Sequence, residues 1–222
     1  MTTRTLIAAP HPDDEVLGAG GTLLRRKAQG GQTAWLLMTC MDIEHGWTQS
    51  QIDNKASQIA AIARHFEFDA VYELKLPTTH LDAIPMHHIV EKVAAVIKAF
   101  VPTEVLIPHS SDIHTDHHVT FNAVGACTKW FRYPSVERVM AYETLSETEF
   151  GLDTSNTFRP NVYIDIGDHL DAKLAALQIY SAELGAFPFP RSAEAVKALA
   201  MVRGSAAGFH AAEAFELLRE RS

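Results

Sequence analysis

Residues 5 to 21 read Thr-Leu-Ile-Ala-Ala-Pro-His-Pro-Asp-Asp-Glu-Val-Leu-Gly-Ala-Gly-Gly, and they set one imidazole, His11, beside three successive carboxyls, Asp13, Asp14 and Glu15. Carboxylates in a row repel one another, so gathering them is costly unless a cation or strong donors balance them. Pro12 biases His11 toward extended backbone and Pro10 stiffens its other side, which suits a ligand. Helix capping by Asp13 or Asp14, with Glu15 favouring the positive helix end, is the plainer use. It leaves His11 and the second aspartate without a role. A second cluster, Pro108-His109-Ser110-Ser111-Asp112-Ile113-His114-Thr115-Asp116-His117-His118, gathers four of the chain's 12 histidines and two aspartates. Imidazole with carboxylate suits a divalent transition metal such as zinc, and a catalytic zinc takes three protein ligands and keeps a position open for water. A pair from the first segment and one histidine from the second would complete that set. His114 and His117, three apart, can face one pocket, whereas His109 and His118 read as supporting or exposed.

Each cluster follows a short apolar run, Leu6 to Ala9 and Val105 to Ile107. Both therefore read as loops leaving strands, and parallel α/β sheets place their sites outside the carboxyl ends of strands. Further strands are expected at Thr33–Met38, Ala70–Leu76, Val136–Tyr142 and Val162–Ile166. Helices are expected at Val16–Gln29, Ser50–His65, Met86–Phe100, Val119–Trp130, Leu170–Leu184 and Ala193–Ala207. The alternation predicts an α/β protein of three-layer α/β/α, Rossmann-like architecture with a mainly parallel sheet. Gly18, Gly20 and Gly21 lack the full dinucleotide-binding spacing and follow an acidic cluster, so close packing of the helix is their expected use. The loop after the second strand carries Asp42, Glu44, His45 and Trp47; Asp42 and His45 are candidate substrate contacts. Arg191 and Arg203 could bind an anionic substrate group. Residues around 144–157 read as a mobile rim, and Phe187-Pro188-Phe189-Pro190 as a corner or an apolar wall.

At 222 residues, 47% apolar and 21% charged, the composition is that of one soluble domain with a filled core, and no repeat or linker divides it. A net charge of −8 with dispersed lysines and arginines argues against nucleic acid. Cys40 and Cys127 form no metal-type spacing and read as reduced thiols. No apolar run approaches the roughly 20 residues that cross a bilayer, and the N-terminal segment does not read as a signal peptide. A cytoplasmic location is the expectation.

The segment Ala9-Pro10-His11-Pro12-Asp13-Asp14-Glu15-Val16-Leu17-Gly18-Ala19-Gly20-Gly21 resembles the opening motif of the PIG-L or LmbE-like zinc N-deacetylases. Asp112-Ile113-His114-Thr115-Asp116-His117 resembles their second motif, in order and spacing. The likeness continues through Arg159–Ile166, Lys173 with Ala175-Ala176-Leu177, and Arg203-Gly204 with Ala212–Phe215. It implies a metal held by His11, Asp14 and His117, with Asp13 as general base and acid. It further implies that a protonated His114 stabilises the oxyanion, Asp116 orients a neighbouring histidine, and Glu15 is a buried supporting carboxylate. Zinc is the implied metal, and iron(II) would accept the same ligands. The implied substrate is a small N-acetylated amino sugar or glycoconjugate; the oligomeric state is left open. The chain departs from the family at Thr39-Cys40-Met41-Asp42, at Asp53-Asn54-Lys55 and at Tyr180-Ser181-Ala182, which bears on substrate more than on reaction. A zinc amidase acting on a larger acyl conjugate, and a noncatalytic sugar- or nucleotide-binding module, are the alternatives.

Overall fold

A computed structural model describes residues 2–222. Its strands are β1 (Arg4–Ala9), β2 (Gln32–Cys40), β3 (Ala70–Pro77), β4 (Glu104–Pro108), β5 (Arg138–Tyr142), β6 (Val162–Asp165) and β7 (Ala212–Glu220). Its α-helices are α1 (Asp14–Ala28), α2 (Gln49–His65), α3 (Met86–Phe100), α4 (Thr115–Ala126), α5 (Leu170–Ile179) and α6 (Ala193–Ala207). One sheet runs in the order β3-β2-β1-β4-β5-β7-β6, parallel from β3 to β5, with β7 antiparallel to both its neighbours.

Period-two alternation along the central strands builds two cores. Leu6 and Ala8 of β1 face Ile89, Val93 and Ile97 of α3 and Val124 of α4, while Ile7 and Ala9 face Leu23 of α1, Ile62 of α2, Leu177 of α5 and Val196 of α6. These are the three layers expected from sequence. The chain winds outward from β1 through β2 to β3, then returns to place β4 on the other side of β1. The two motif-bearing loops thus leave adjacent strands at the point where strand order reverses, the place where such sheets open a crevice.

Helix α1 is broken at Ala19 (φ −147°, ψ 16°). Glu213 of β7 accepts from the freed N–H groups of Gly21 and Thr22 at 2.8 and 2.7 Å, and Lys173 of α5 donates to Leu17 O at 2.9 Å and to Glu213 at 2.6 Å. A Cβ on Gly18 would lie 2.2 Å from the Tyr142 ring, and one on Gly21 2.7 Å from Ile166. Those glycines therefore serve close packing.

Four expectations need correction. Helix α4 begins at Thr115 instead of Val119 because the His114 side chain caps it, and it stops at Ala126, so Trp130 lies outside. Helix α5 ends at Ile179, before a short 3-10 turn at Ser181–Glu183. Strand β7 had no strand reading in the sequence; its apolar residues are interleaved with Glu213, whose charge is used at the α1 break. The 144–157 segment is fastened to the site, since Thr148 Oγ1 donates to Asp112 at 2.7 Å. Among the described residues no helix is long and apolar enough to cross a membrane, and both cysteines are free.

Removing one partner of a buried, hydrogen-bonded ion pair strands the other charge. Glu213→Ala should therefore lose ~3–5 kcal/mol of unfolding free energy in urea denaturation. A loss under about 1 kcal/mol would show that the α1 break does not depend on this pair.

Candidate active site

The turn from β1 into α1 is held from several sides. Pro10 O accepts from Thr39 of β2 through both Oγ1 (2.7 Å) and N–H (3.2 Å). Asp13 lies at φ 140°, a region that L residues rarely adopt and that, where it occurs, concentrates at functional sites. Neither aspartate caps α1 with its side chain. Instead Asp14 Oδ2 accepts from the His11 N–H at 2.8 Å, and Asp13 N–H donates to Glu15 at 3.1 Å. Tyr180 Oη donates to the other Glu15 oxygen at 2.8 Å.

Asp14 is the hub. Its Oδ2 lies 3.5 Å from His11 Nδ1 and 3.4 Å from His117 Nε2. Donor atoms bound at about 2.0–2.1 Å around a tetrahedral ion stand about 3.3 Å apart, so Asp14 lies at ligand spacing from each ring, and all three donors lie within 4.8 Å of one another. Each histidine is fixed through its other nitrogen. His11 Nε2 meets Asp116 at 2.9 Å and His117 Nδ1 meets Asp112 at 2.8 Å, the carboxylate–histidine arrangement that orients metal ligands. His117 Nε2 is buried with no hydrogen-bond partner, which is the mark of an atom meant for something else. The residues therefore fit a divalent ion.

Asp116 also accepts from the N–H groups of Thr79 (2.7 Å) and Leu81 (3.1 Å), tying the β3 exit loop to the site. A second grouping, His11 with His114 and Asp116, is already accounted for by hydrogen bonds: His114 Nδ1 accepts the Asp116 N–H at 3.0 Å. That contact corrects the expectation of a cationic His114. An Nδ1 that accepts carries no proton, burial together with neighbouring His11 pushes the ring's pKa down, and the ring is a neutral Nε2–H donor.

Charge balance explains the other shifts. Burial opposes a charged His11, but Asp116 and Asp14 outweigh it and raise the ring to about 9. Burial likewise works against charge on Asp14 and on His117, yet their mutual attraction wins, holding Asp14 well below the usual carboxylate range and His117 well above 6.5. Asp13 lies outside this pairing. Burial and the neighbouring Asp14 charge raise it to about 7 despite Arg191, and burial with Asp13 raises Glu15 to about 8.

His11, Asp13, Asp14 and His114 open on a cleft of about 440 Å³, walled also by Met41, Trp47, Ile52, Lys55, Thr144, Glu147, Glu183 and Arg191. Arg191 Nη1 donates to Asp13 Oδ2 at 2.9 Å while its Nε makes no hydrogen bond, so this arginine of the cleft wall is tied to the acid cluster through one nitrogen. Asp42 and His45 were expected to face substrate. They are not in the cleft wall: Asp42 accepts from His45 N–H at 2.9 Å and Nδ1 at 2.7 Å, which folds the pair back on itself at the rim. Arg203 lies away from the cleft, paired with Glu143 at 2.6 Å, and His109 is buried 3.4 Å from Glu216. Sequence reasoning gave no role to Asp112 or Tyr180. For Asp112 the signal was present, an acid at a strand exit five residues before a candidate ligand; for Tyr180 the one signal was the departure from the family at residues 180–182, which pointed to substrate and not to Glu15.

A family model described as "PIG-L: GlcNAc-PI de-N-acetylase" matches residues 6–128. The diacetylchitobiose deacetylase of Thermococcus kodakarensis is 24% identical over 204 residues, covering 81% of this chain and 70% of that protein. Among solved structures, a conserved protein from Thermus thermophilus superposes with a TM-score of 0.76 at 27% identity, over 95% of this chain and 92% of that one. The N,N'-diacetylchitobiose deacetylase from Pyrococcus horikoshii superposes with a TM-score of 0.78 at 19% identity, over 98% and 84%.

In the metal-free protein the protons on His11 and His117 stand in for a cation, whereas Asp14 is already ionised. Zinc uptake at pH 7 should therefore release about two protons per ion, and affinity should rise with pH for as long as either ring stays protonated. Calorimetry in buffers of different ionisation enthalpy measures this. Uptake with no proton release would remove these two rings from the ligand set.

Proposed function

The chain belongs to the PIG-L family, and on that premise we propose that it is a metal-dependent N-deacetylase, a hydrolase releasing acetate from an N-acetylated amino sugar of the N-acetylglucosaminyl type. The observation that carries this reading is the juxtaposition of His117 Nε2, buried without a partner, with Asp14 and His11, beside an Asp13 that joins no such set. His11, Asp14 and His117 are the proposed ligands. A divalent ion there, zinc or iron(II), supplies a Lewis acid for the amide carbonyl and lowers the pKa of a water in the site.

The chain's own groups do the rest. Asp13, next to ligand Asp14 in sequence but turned aside by its unusual backbone, takes the proton of the attacking water and returns it to the departing amine nitrogen. An amine leaves poorly unless protonated, so the reaction needs a group that can hold and return a proton, and burial together with the Asp14 charge raises the proton affinity of Asp13. Arg191 holds one Asp13 oxygen, which leaves the other for proton transfer. His114 donates its Nε2–H to the developing oxyanion as a neutral imidazole. Asp112 and Asp116 keep the ligand rings in place, and Glu15 with Tyr180 supports the Asp13 backbone. The cleft volume lies in the range of small-molecule sites and leaves room for a sugar with a further group attached.

Acetate release from a panel of N-acetylated amino sugars, read together with metal content, tests the proposal. Asp13→Asn should keep the metal and lose roughly 10²–10⁴-fold in turnover. His117→Ala should lose the metal, and Asp112→Asn should weaken metal binding by about 10–100-fold. Absence of acetate release across the panel by the metal-loaded protein would sink the activity. Equal metal loss in Asp13→Asn and His117→Ala would sink the division of roles.

A further inference from the structure

Two histidines that take no part in the site above face each other across its rim. His45 stands on the loop leaving β2 and His80 on the loop leaving β3, and their ring centroids are 4.5 Å apart. Both have the same nitrogen engaged. His45 Nδ1 contacts both oxygens of the Asp42 carboxylate at 2.7 and 2.8 Å, and His80 Nδ1 lies 2.8 Å from the carbonyl of Thr78 and 3.0 Å from Thr79 Oγ1, whose own hydrogen goes to that carbonyl at 2.6 Å. A carbonyl only accepts, so His80 carries its proton on Nδ1; a carboxylate acceptor gives His45 the same tautomer.

Each ring, exposed to solvent, is then left with a lone pair on Nε2 that meets no protein group among the described residues. A histidine whose Nδ1–H is held by a carboxylate or a backbone carbonyl is one whose tautomer and orientation are already set for a metal. The supporting loop is itself braced. Thr79, at φ 63°, is a non-glycine residue in the left-handed region, and Asp116 holds its N–H at 2.7 Å. Strain of that kind persists only where the surroundings enforce it, and here it sets the loop from which His80 projects.

We propose that His45 and His80 form a second, outer site for a borderline-soft divalent ion such as zinc, with solvent completing the coordination. This site is separate from the one built on Asp14 and does not depend on the activity proposed above. Its consequence is mechanical. Met41, Trp47, Thr78 and Thr79, all in the cleft wall, belong to the two loops that such an ion would join, so outer binding staples the mouth of the cleft. Imidazole nitrogens suit zinc, copper or nickel and do not suit magnesium or calcium, which gives the site its selectivity.

Zinc titration of the metal-free full chain, followed by calorimetry and equilibrium dialysis, tests this. The wild type should bind two ions per chain, the second more weakly. His80→Ala and His45→Ala should each lose at least tenfold in affinity for the weaker ion only. His117→Ala should lose the tighter ion and keep the weaker, which separates failure of the inner site from failure of the outer one. Backbone amides of 41–48 and 78–81 should gain protection from hydrogen exchange as the second ion binds, in the wild type but not in His80→Ala. One ion per chain in the wild type would overturn the proposal. So would a second ion that binds His45→Ala and His80→Ala as tightly as the parent, with His80→Ala retaining the tighter ion as the check that it is folded.

Discussion

Asp14, Asp112 and Asp116 are buried at the crevice between β1 and β4, linked through two shared imidazoles, and their charges have to be balanced. Two imidazoles, His11 and His117, do so by lying between them, each touching Asp14 on one side and a second aspartate on the other. Water cannot dilute the charges there, so the arrangement survives only with close geometry on every side. Much else follows from that constraint: the prolines around His11, the anchoring of the β3 exit loop by Asp116, and the seat of Thr148 on Asp112 all fix one of these five groups.

The neighbouring acids show how position decides chemistry. Asp13 and Asp14 are adjacent and both buried, yet one is driven up and the other down. The difference lies in backbone direction. Asp13, at φ 140°, meets Arg191 by hydrogen bond and feels His11 only through space, whereas Asp14 lies against both imidazoles. Glu15, one residue further, is turned into the α1 side of the core, where Tyr180 meets it. Three consecutive carboxyls thus receive three environments from a single turn, and burial lifts two of them, Asp13 and Glu15, above the usual carboxylate range.

The sequence was most legible where spacing alone determines geometry. Alternating apolar runs marked six of the seven strands, and histidine–aspartate density marked the loops after β1 and β4. The resemblance named the residues that meet at Asp14. It was least legible where a residue's role depends on a distant partner. Glu213 looks like one charge in an ordinary edge segment until the break in α1 exposes two N–H groups for it. Asp42 and His45 have the right chemistry for a substrate, yet they satisfy each other first, because a three-residue separation in a tight loop closes a local contact before any ligand arrives. His114 fits an oxyanion cation by type, but the free N–H at the start of α4 claims its Nδ1.

Strand order carries one more consequence. Asp14 and His11 follow β1, whereas His117 follows β4, and α1, β2, α2, β3 and α3 lie between them in the chain while β1 and β4 touch in the sheet. A polypeptide still emerging during synthesis can offer only a loose His11–Asp14 pair until β4 has docked beside β1. The three donors therefore converge only in a chain that has completed its central fold, so whatever they do together is withheld until then.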